Sequence, residues 1–193
     1  LVISDAAAAD IASQSPLLSW LGVLDAPISG AVRGQLDGEG ALSSASATLQ
    51  IGEGQLQPTS QTLPIPFRSA RTYLTFDPSR DKLTFDLLEI DSDLGQLTGT
   101  AQTYLREYTD GWPDALLGQV QFSNLTAAPE GVFDVPVEVE SGSVDFRLRL
   151  DPFTFDIGQA VGLVEQTPVH MAGQVRATTD GWSVSVDASA DTI

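Results

Sequence analysis

The chain holds one histidine, His170, and no cysteine, so any side-chain chemistry must run through that imidazole, the hydroxyls or the carboxylates. A Ser-His-Asp triad would depend on His170 alone, and no partner for it stands out in the sequence. Multi-histidine metal sites and thiolate chemistry are excluded by composition. Carboxylates are plentiful, with 26 Asp and Glu, and glycoside hydrolysis needs two of them facing each other at roughly 5–10 Å. Most candidates (Asp77, Asp81, Asp110, Asp151, Asp180) fall instead at turn positions, where Asp hydrogen-bonds nearby backbone. Calcium would call for a D-x-[DN]-x-[DN]-G loop or a Gly-rich nonapeptide array, and neither occurs. G-x-S-x-G, a phosphate-binding loop and H-E-x-x-H are absent as well. The sequence therefore nominates no catalytic residue, metal ligand or cofactor and reads as a non-enzyme.

Charge narrows the partners. Nine Lys and Arg against 26 Asp and Glu give a net charge of −17, and Lys82 is the only lysine. Clustered cations are what phosphate backbones require, so the balance argues against nucleic acid. No apolar run reaches the ~18 residues of a membrane span. The opening "LVISDAAAAD" starts in mid-flow and reads as a segment of something longer.

The elements that must position any functional residue are mostly strands. Two short helices open the chain. Ser4-Asp5 can cap Ala6 to Ala12, and Ser15-Pro16 can start a second helix carrying Leu17, Leu18, Trp20, Leu21 and Leu24. Pro27 stops it. From Ile28 onward alternation and Gly, Asp and Asn turns dominate. This divides the chain into a helical cap over 1–27, a first β unit over 28–125 and a second over 126–193. The units share repeats: "TDGW" at 109–112 and 179–182, "LTFDP" at 74–78 against "LRLDP" at 148–152, and "TFD" at 84–86 and 154–156.

Each repeat predicts a hairpin. A turn at Asp180-Gly181 pairs Thr179 with Trp182 and puts Met171, Gly173, Val175 and Ala177 on one face with Trp182, Val184, Val186 and Ala188. Arg176 then lies diagonal to Asp187. A turn at Asp110-Gly111 aligns Leu105 with Leu116, Ala101 with Val120 and Gly99 with Phe122, with a splayed tip where Glu107 faces Asp114. A Ser141-Gly142 turn would pair Val139 with Val144, Val137 with Phe146 and Val135 with Leu148. Across "DPSRDK", Phe76 faces Leu83 and Asp77 faces Lys82. Every hairpin is apolar on one side, as in antiparallel sheets that bury one face. The expected fold is all-β: antiparallel hairpins forming a curved one-sided apolar sheet or sandwich-like groove, with short N-terminal helices. Either a second sheet closes the apolar face, or it curls into a groove for an apolar guest. A groove would be lined by Val135, Val137, Phe146, Leu148, Val175, Trp182, Val184 and Val186. Trp112 and Trp182 could otherwise serve as sugar-stacking platforms, the mark of a surface adhesin or carbohydrate-binding module.

One stretch is more specific. "SPLLSWLGVLDAPISGAVRGQLDGEG", followed by "ATLQIGEGQLQP", resembles the AsmA-like (YhdP-like) large envelope proteins of Gram-negative bacteria. The resemblance is carried by a Leu-rich segment leading into D-x-P-x-S-G (Asp25, Pro27, Ser29, Gly30) and a Gly52-Glu53-Gly54 step, and extends from about Ser15 to Ala101. It implies a long β structure in the periplasm, anchored in the inner membrane by a helix elsewhere in the chain. It also implies a non-catalytic role in outer-membrane lipid homeostasis, with phospholipid acyl chains as the guest and the rest of the same long chain as neighbour.

Overall fold

In the computed structural model, residues 1–127, 136–179 and 181–190 are described. The chain is all-β. Its strands are β1 (Val2–Ala7), β2 (Leu24–Asp25), β3 (Pro27–Leu36), β4 (Leu42–Ile51), β5 (Gly54–Leu56), β6 (Ile65–Asp77), β7 (Lys82–Ser92), β8 (Gly95–Thr109), β9 (Trp112–Ala127), β10 (Val137–Val139), β11 (Gly142–Arg149), β12 (Thr154–Val164), β13 (Thr167–Thr178) and β14 (Gly181–Ala190). An α-helix, α1 (Ala8–Gln14), and a 3-10 helix (Pro16–Val23) lie between β1 and β2. Ala7, not Ser4 or Asp5, precedes α1, because the first residues pair with β3 as a strand instead. Among the described residues no helix is long and apolar enough to cross a membrane.

The strands form one open antiparallel sheet in the order β1-β3-β4-β6-β7-β8-β9-β11-β12-β13-β14, with β2, β5 and β10 attached at its margins. Apolar residues pair with apolar residues from strand to strand, with bulges in several ladders, as between Phe85 and Leu88 opposite Ala101 and Gly99. One row runs Val32, Ala47, Leu74, Phe85, Ala101, Val120, Val144, Ala160, Met171, Ala188, each residue opposite the next. A second runs Ile28, Ile51, Ala70, Ile90, Leu97, Leu125, Val139. On the reverse face the row Thr84, Gln102, Gln119, Asp145, Gln159 is polar throughout. A slip of one residue anywhere would mix the rows, so burial of one face fixes the register.

The duplicated motifs occupy equivalent places. Leu74 pairs with Phe85 in the β6–β7 hairpin, and Leu148 pairs with Phe155 in the β11–β12 hairpin. The β6–β7 and β8–β9 registers match the sequence expectation, down to Asp77 opposite Lys82 and Leu105 opposite Leu116. The β8–β9 tip is not splayed: pairing continues to Thr109 opposite Trp112. Glu107 takes a positive φ of 55° and reaches Arg147 and Arg149 on β11 rather than facing Asp114.

Two expected pairings are corrected. Residues 137–149 do not form a hairpin at Ser141-Gly142. β10 and β11 lie along β9 in one common register, with Val139 opposite Leu125 and Gly142 opposite Phe122. Val137 therefore pairs with Ala127, not Phe146, and Val144 pairs with Val120, not Val139. Gly142 is needed for space rather than for turning: a Cβ there would overlap Phe122 Cζ and the Val161 carbonyl. Val135, and with it the proposed Val135–Leu148 pair, lies outside the described residues. In the β13–β14 hairpin Ala177 is opposite Trp182 and Val175 opposite Val184, two positions away from the register that a turn at 180–181 implies. An even shift preserves the faces, so the valines stay on the apolar side. Arg176 faces Ser183 and donates to Gln174 Oε1, while Asp187 sits opposite Ala172.

Candidate apolar binding trough

The apolar face is covered by helices on one part and curves over empty space on another. No second sheet lies against it among the described residues. Ala8 and Ala12 of α1 and Leu18 and Leu21 of the 3-10 helix pack onto Ile28, Leu49, Ile51 and Leu74. Pro16 at its first turn starts the 3-10 helix, and the backbone N–H of Leu24 caps it on the Leu21 carbonyl. Trp20 stands edge-on to Phe85, with ring centroids 5.8 Å apart at 76°. These contacts seat the 3-10 helix inside the curve of the sheet.

Beyond Trp20 the face opens into a cavity of about 390 Å³. That lies within the ~300–1,000 Å³ usual for small-molecule sites. Trp20, Val23 and Leu24 close one side, and Leu56, Ile65 and Phe67 another. The floor is formed by Phe85, Leu88, Ile90, Ala101, Leu116 and Val120, and the far wall by Phe146, Leu148 and Phe155. Phe146 and Phe155 stack across β11 and β12 at 5.4 Å and 18°. Thr72 and Thr103, polar side chains on the wall, spend their hydroxyls on the Leu87 and Leu117 carbonyls, so they present methyls without an open hydrogen-bonding demand. Such a surface favours aliphatic matter by burial. Its remaining polar groups are Arg71, which pairs with Glu89, Ser92, whose hydroxyl donates to the Gly95 carbonyl, and the buried Trp20 indole N–H, which has no partner among the described residues.

Curvature makes the trough. β6 and β14 are seven strands apart in the sheet order, about 34 Å if the sheet were flat. Yet Trp182 Nε1 on β14 donates to the carbonyl of Leu63, two residues before β6, at 2.7 Å. The sheet must therefore roll toward itself. Glycine on the inner face allows the tight approach: a Cβ on Gly118 would overlap the Gln102 carbonyl of β8.

The sequence-nominated residues among the described ones do not all line the trough. Phe146 and Leu148 line the trough. Val137 and Val175 are half-buried on the same face outside its lining, Val175 beside Phe155. Val184 and Val186, at 63% and 45% exposed, continue the apolar face onto the open edge of the sheet. Trp182 is half-buried, edge-on to Phe153 at 5.6 Å and 85°, and sits at the seam rather than in the lining. Trp112 is exposed at the β8–β9 tip. The lining from the first half and from the 3-10 helix was not nominated. Its strand residues carry the same alternation and could have been found from the β8–β9 register; nothing in the sequence marks the helix as a wall.

Other hollows lie on the outer face with mixed polar and apolar linings. The one over β8, β9 and β11, of about 560 Å³, is floored by side chains already paired with one another, Gln119 Nε2 donating to Asp145 Oδ1 at 2.6 Å. Among the described residues no three of His, Asp and Glu come together as metal ligands. No family model, curated protein or solved structure matches the chain, so the trough stands on its own geometry.

Proposed function

We propose that this chain is a non-catalytic section of an AsmA-like envelope protein that holds phospholipid acyl chains in its apolar trough, serving lipid transport or outer-membrane lipid homeostasis. The observation that carries the reading is the 390 Å³ cavity walled almost wholly by aliphatic and aromatic side chains inside a strongly acidic, polar-faced sheet. Burying an acyl chain there gains about 0.8 kcal/mol per methylene removed from water. A wall with few polar side chains, most of them already paired, favours hydrocarbon over a headgroup. The AsmA-like assignment, with a periplasmic location and an inner-membrane anchor elsewhere in the chain, rests on the resemblance over Ser15 to Ala101. Its D-x-P-x-S-G residues occupy the β2–β3 junction, where the Ser29 hydroxyl accepts the Asp5 N–H.

The test is native lipid mass spectrometry of the gently purified chain, with a titration of cis-parinaric acid on the same sample. Stoichiometric lipid, together with loss of parinarate binding in Val120→Trp, which fills the trough without burying a charge, supports the reading. Absence of both lipid and binding in a folded wild-type sample refutes it.

A further inference from the structure

We propose that the seam between residues 57–64 and the start of β14 is the lateral portal by which acyl chains enter and leave the trough, latched by Trp182. The inference rests on the acyl-chain reading of the trough and adds where and how the chain passes.

Where β14 approaches residues 57–64, the wall among the described residues is not a strand ladder. β6 and β14 exchange no ladder hydrogen bonds, so the sheet parts here without breaking backbone pairing. Across the gap the bond from Trp182 Nε1 to the Leu63 carbonyl, at 2.7 Å, joins residues 119 positions apart. The Trp182 ring rests on Phe153, and Gly181 lies close enough that a Cβ there would sit 3.4 Å from Leu63 Cδ1.

Residues 57–64 are built as a strap. One end is pinned: the Gln57 N–H bonds the Val23 carbonyl of the 3-10 helix, its side chain donates to the Thr62 carbonyl, and the Thr59 and Thr62 hydroxyls bond each other at 2.8 Å. Thr62 is 2% exposed, whereas Leu63 next to it is 62% exposed and reaches out to β14. The cavity reaches Leu56 and Ile65, which flank the strap, and Phe155 on β12, two strands in from β14. Phe155, Val175 and Val184 are consecutive partners across β12, β13 and β14. The exposed Val184 thus lies on an apolar path leading from the open edge to the wall of the trough. A chain sliding in over Val184 meets the Trp182–Leu63 hydrogen bond, whereas the paired strands that line the trough are joined by ladders.

The chain contains no cysteine, so a Leu63→Cys/Trp182→Cys variant offers two unique thiols for a short bis-maleimide crosslink across the seam. Release of preloaded cis-parinaric acid is followed by stopped flow, with circular dichroism confirming the fold. Crosslinking should slow release more than tenfold relative to the same variant uncrosslinked, with the amount bound unchanged. Trp182→Phe keeps the ring and removes the donor, and should speed release roughly two- to tenfold, the worth of one hydrogen bond. If wild type binds parinarate and the crosslink leaves the release rate unchanged, chains pass along the trough axis and the portal is refuted; where the two variants disagree, the crosslink decides. If wild type binds no parinarate at all, the acyl-chain reading itself fails and the portal with it.

Discussion

Phe146 and Phe155 stack across neighbouring strands at 5.4 Å, turning the β11–β12 pair into an aromatic wall on one side of the trough. Such a pair contributes about 0.5–1.5 kcal/mol beyond simple burial. Phe155→Ala removes the stack and widens the cavity. Stability in urea should fall by about 1–3 kcal/mol, less than for a fully buried Phe because Phe155 is half-buried. Parinarate affinity should fall with it. An unchanged urea midpoint would mean the stack contributes nothing.

Val184 offers the opposite expectation. It shares a face with the trough but is 63% exposed at the open edge. Val184→Asp should alter stability by no more than about 0.5 kcal/mol, as for ordinary surface substitutions. Equilibrium parinarate binding should be preserved. A loss of binding as large as that in Val120→Trp would extend the site to the edge strand.

Gly142 is filled space rather than a turn. Phe122 and the Val161 carbonyl occupy the region where a side chain would go. Gly142→Ala should therefore cost about 1–3 kcal/mol, by overpacking, read from a urea unfolding curve. A neutral result would show that β11 can move away from Phe122 freely.

Tyr108 gives a signature in alkali. Desolvation, together with the Asp81 carboxylate that accepts its hydrogen bond, pushes its phenol up from 10.0 to about 12. The folded state therefore holds this proton more tightly than the unfolded state. The contribution is complete below the ordinary phenol pKa of 10.0 and disappears as pH rises through about 12. Of the three tyrosines, one should ionise late by phenolate absorbance, and Tyr108→Phe should both remove that step and flatten the fall in stability over this window. The same late step persisting in Tyr108→Phe would overturn the assignment.

How much of this is legible in the sequence depends on range. The β6–β7 and β8–β9 registers can be read because their turns and alternation agree, so local chemistry settles them. The Ser141-Gly142 pair misleads because glycine's two uses look alike in sequence; only the Phe122 ring, brought from β9, distinguishes close packing from turning. The β13–β14 register is displaced by two because Trp182 is held by Leu63 and Phe153, partners that a hairpin rule does not see. The apolar face is legible strand by strand. Its curvature is not, since it is expressed by contacts such as Leu63 to Trp182, far apart in the chain. Phe146 and Leu148 could thus be named as lining, while the 3-10 helix that closes the other side could not.

From β3 to β14 the sheet is a meander: apart from the small marginal strands, each strand's neighbours in space are its neighbours along the chain. Such an arrangement is nearly one-dimensional in its backbone pairing, while one core, from Ile28 to Leu116 with the helices upon it, ties the strands up to β9 together. Loop closures are short, so folding can begin at one strong hairpin and zip outward, faster than in β topologies that pair distant strands. Damage should then scale with position. A lesion in β14 frays the last rung and its latch, whereas one in β8 or β9 interrupts the ladder and the core together, at Leu105 and Leu116.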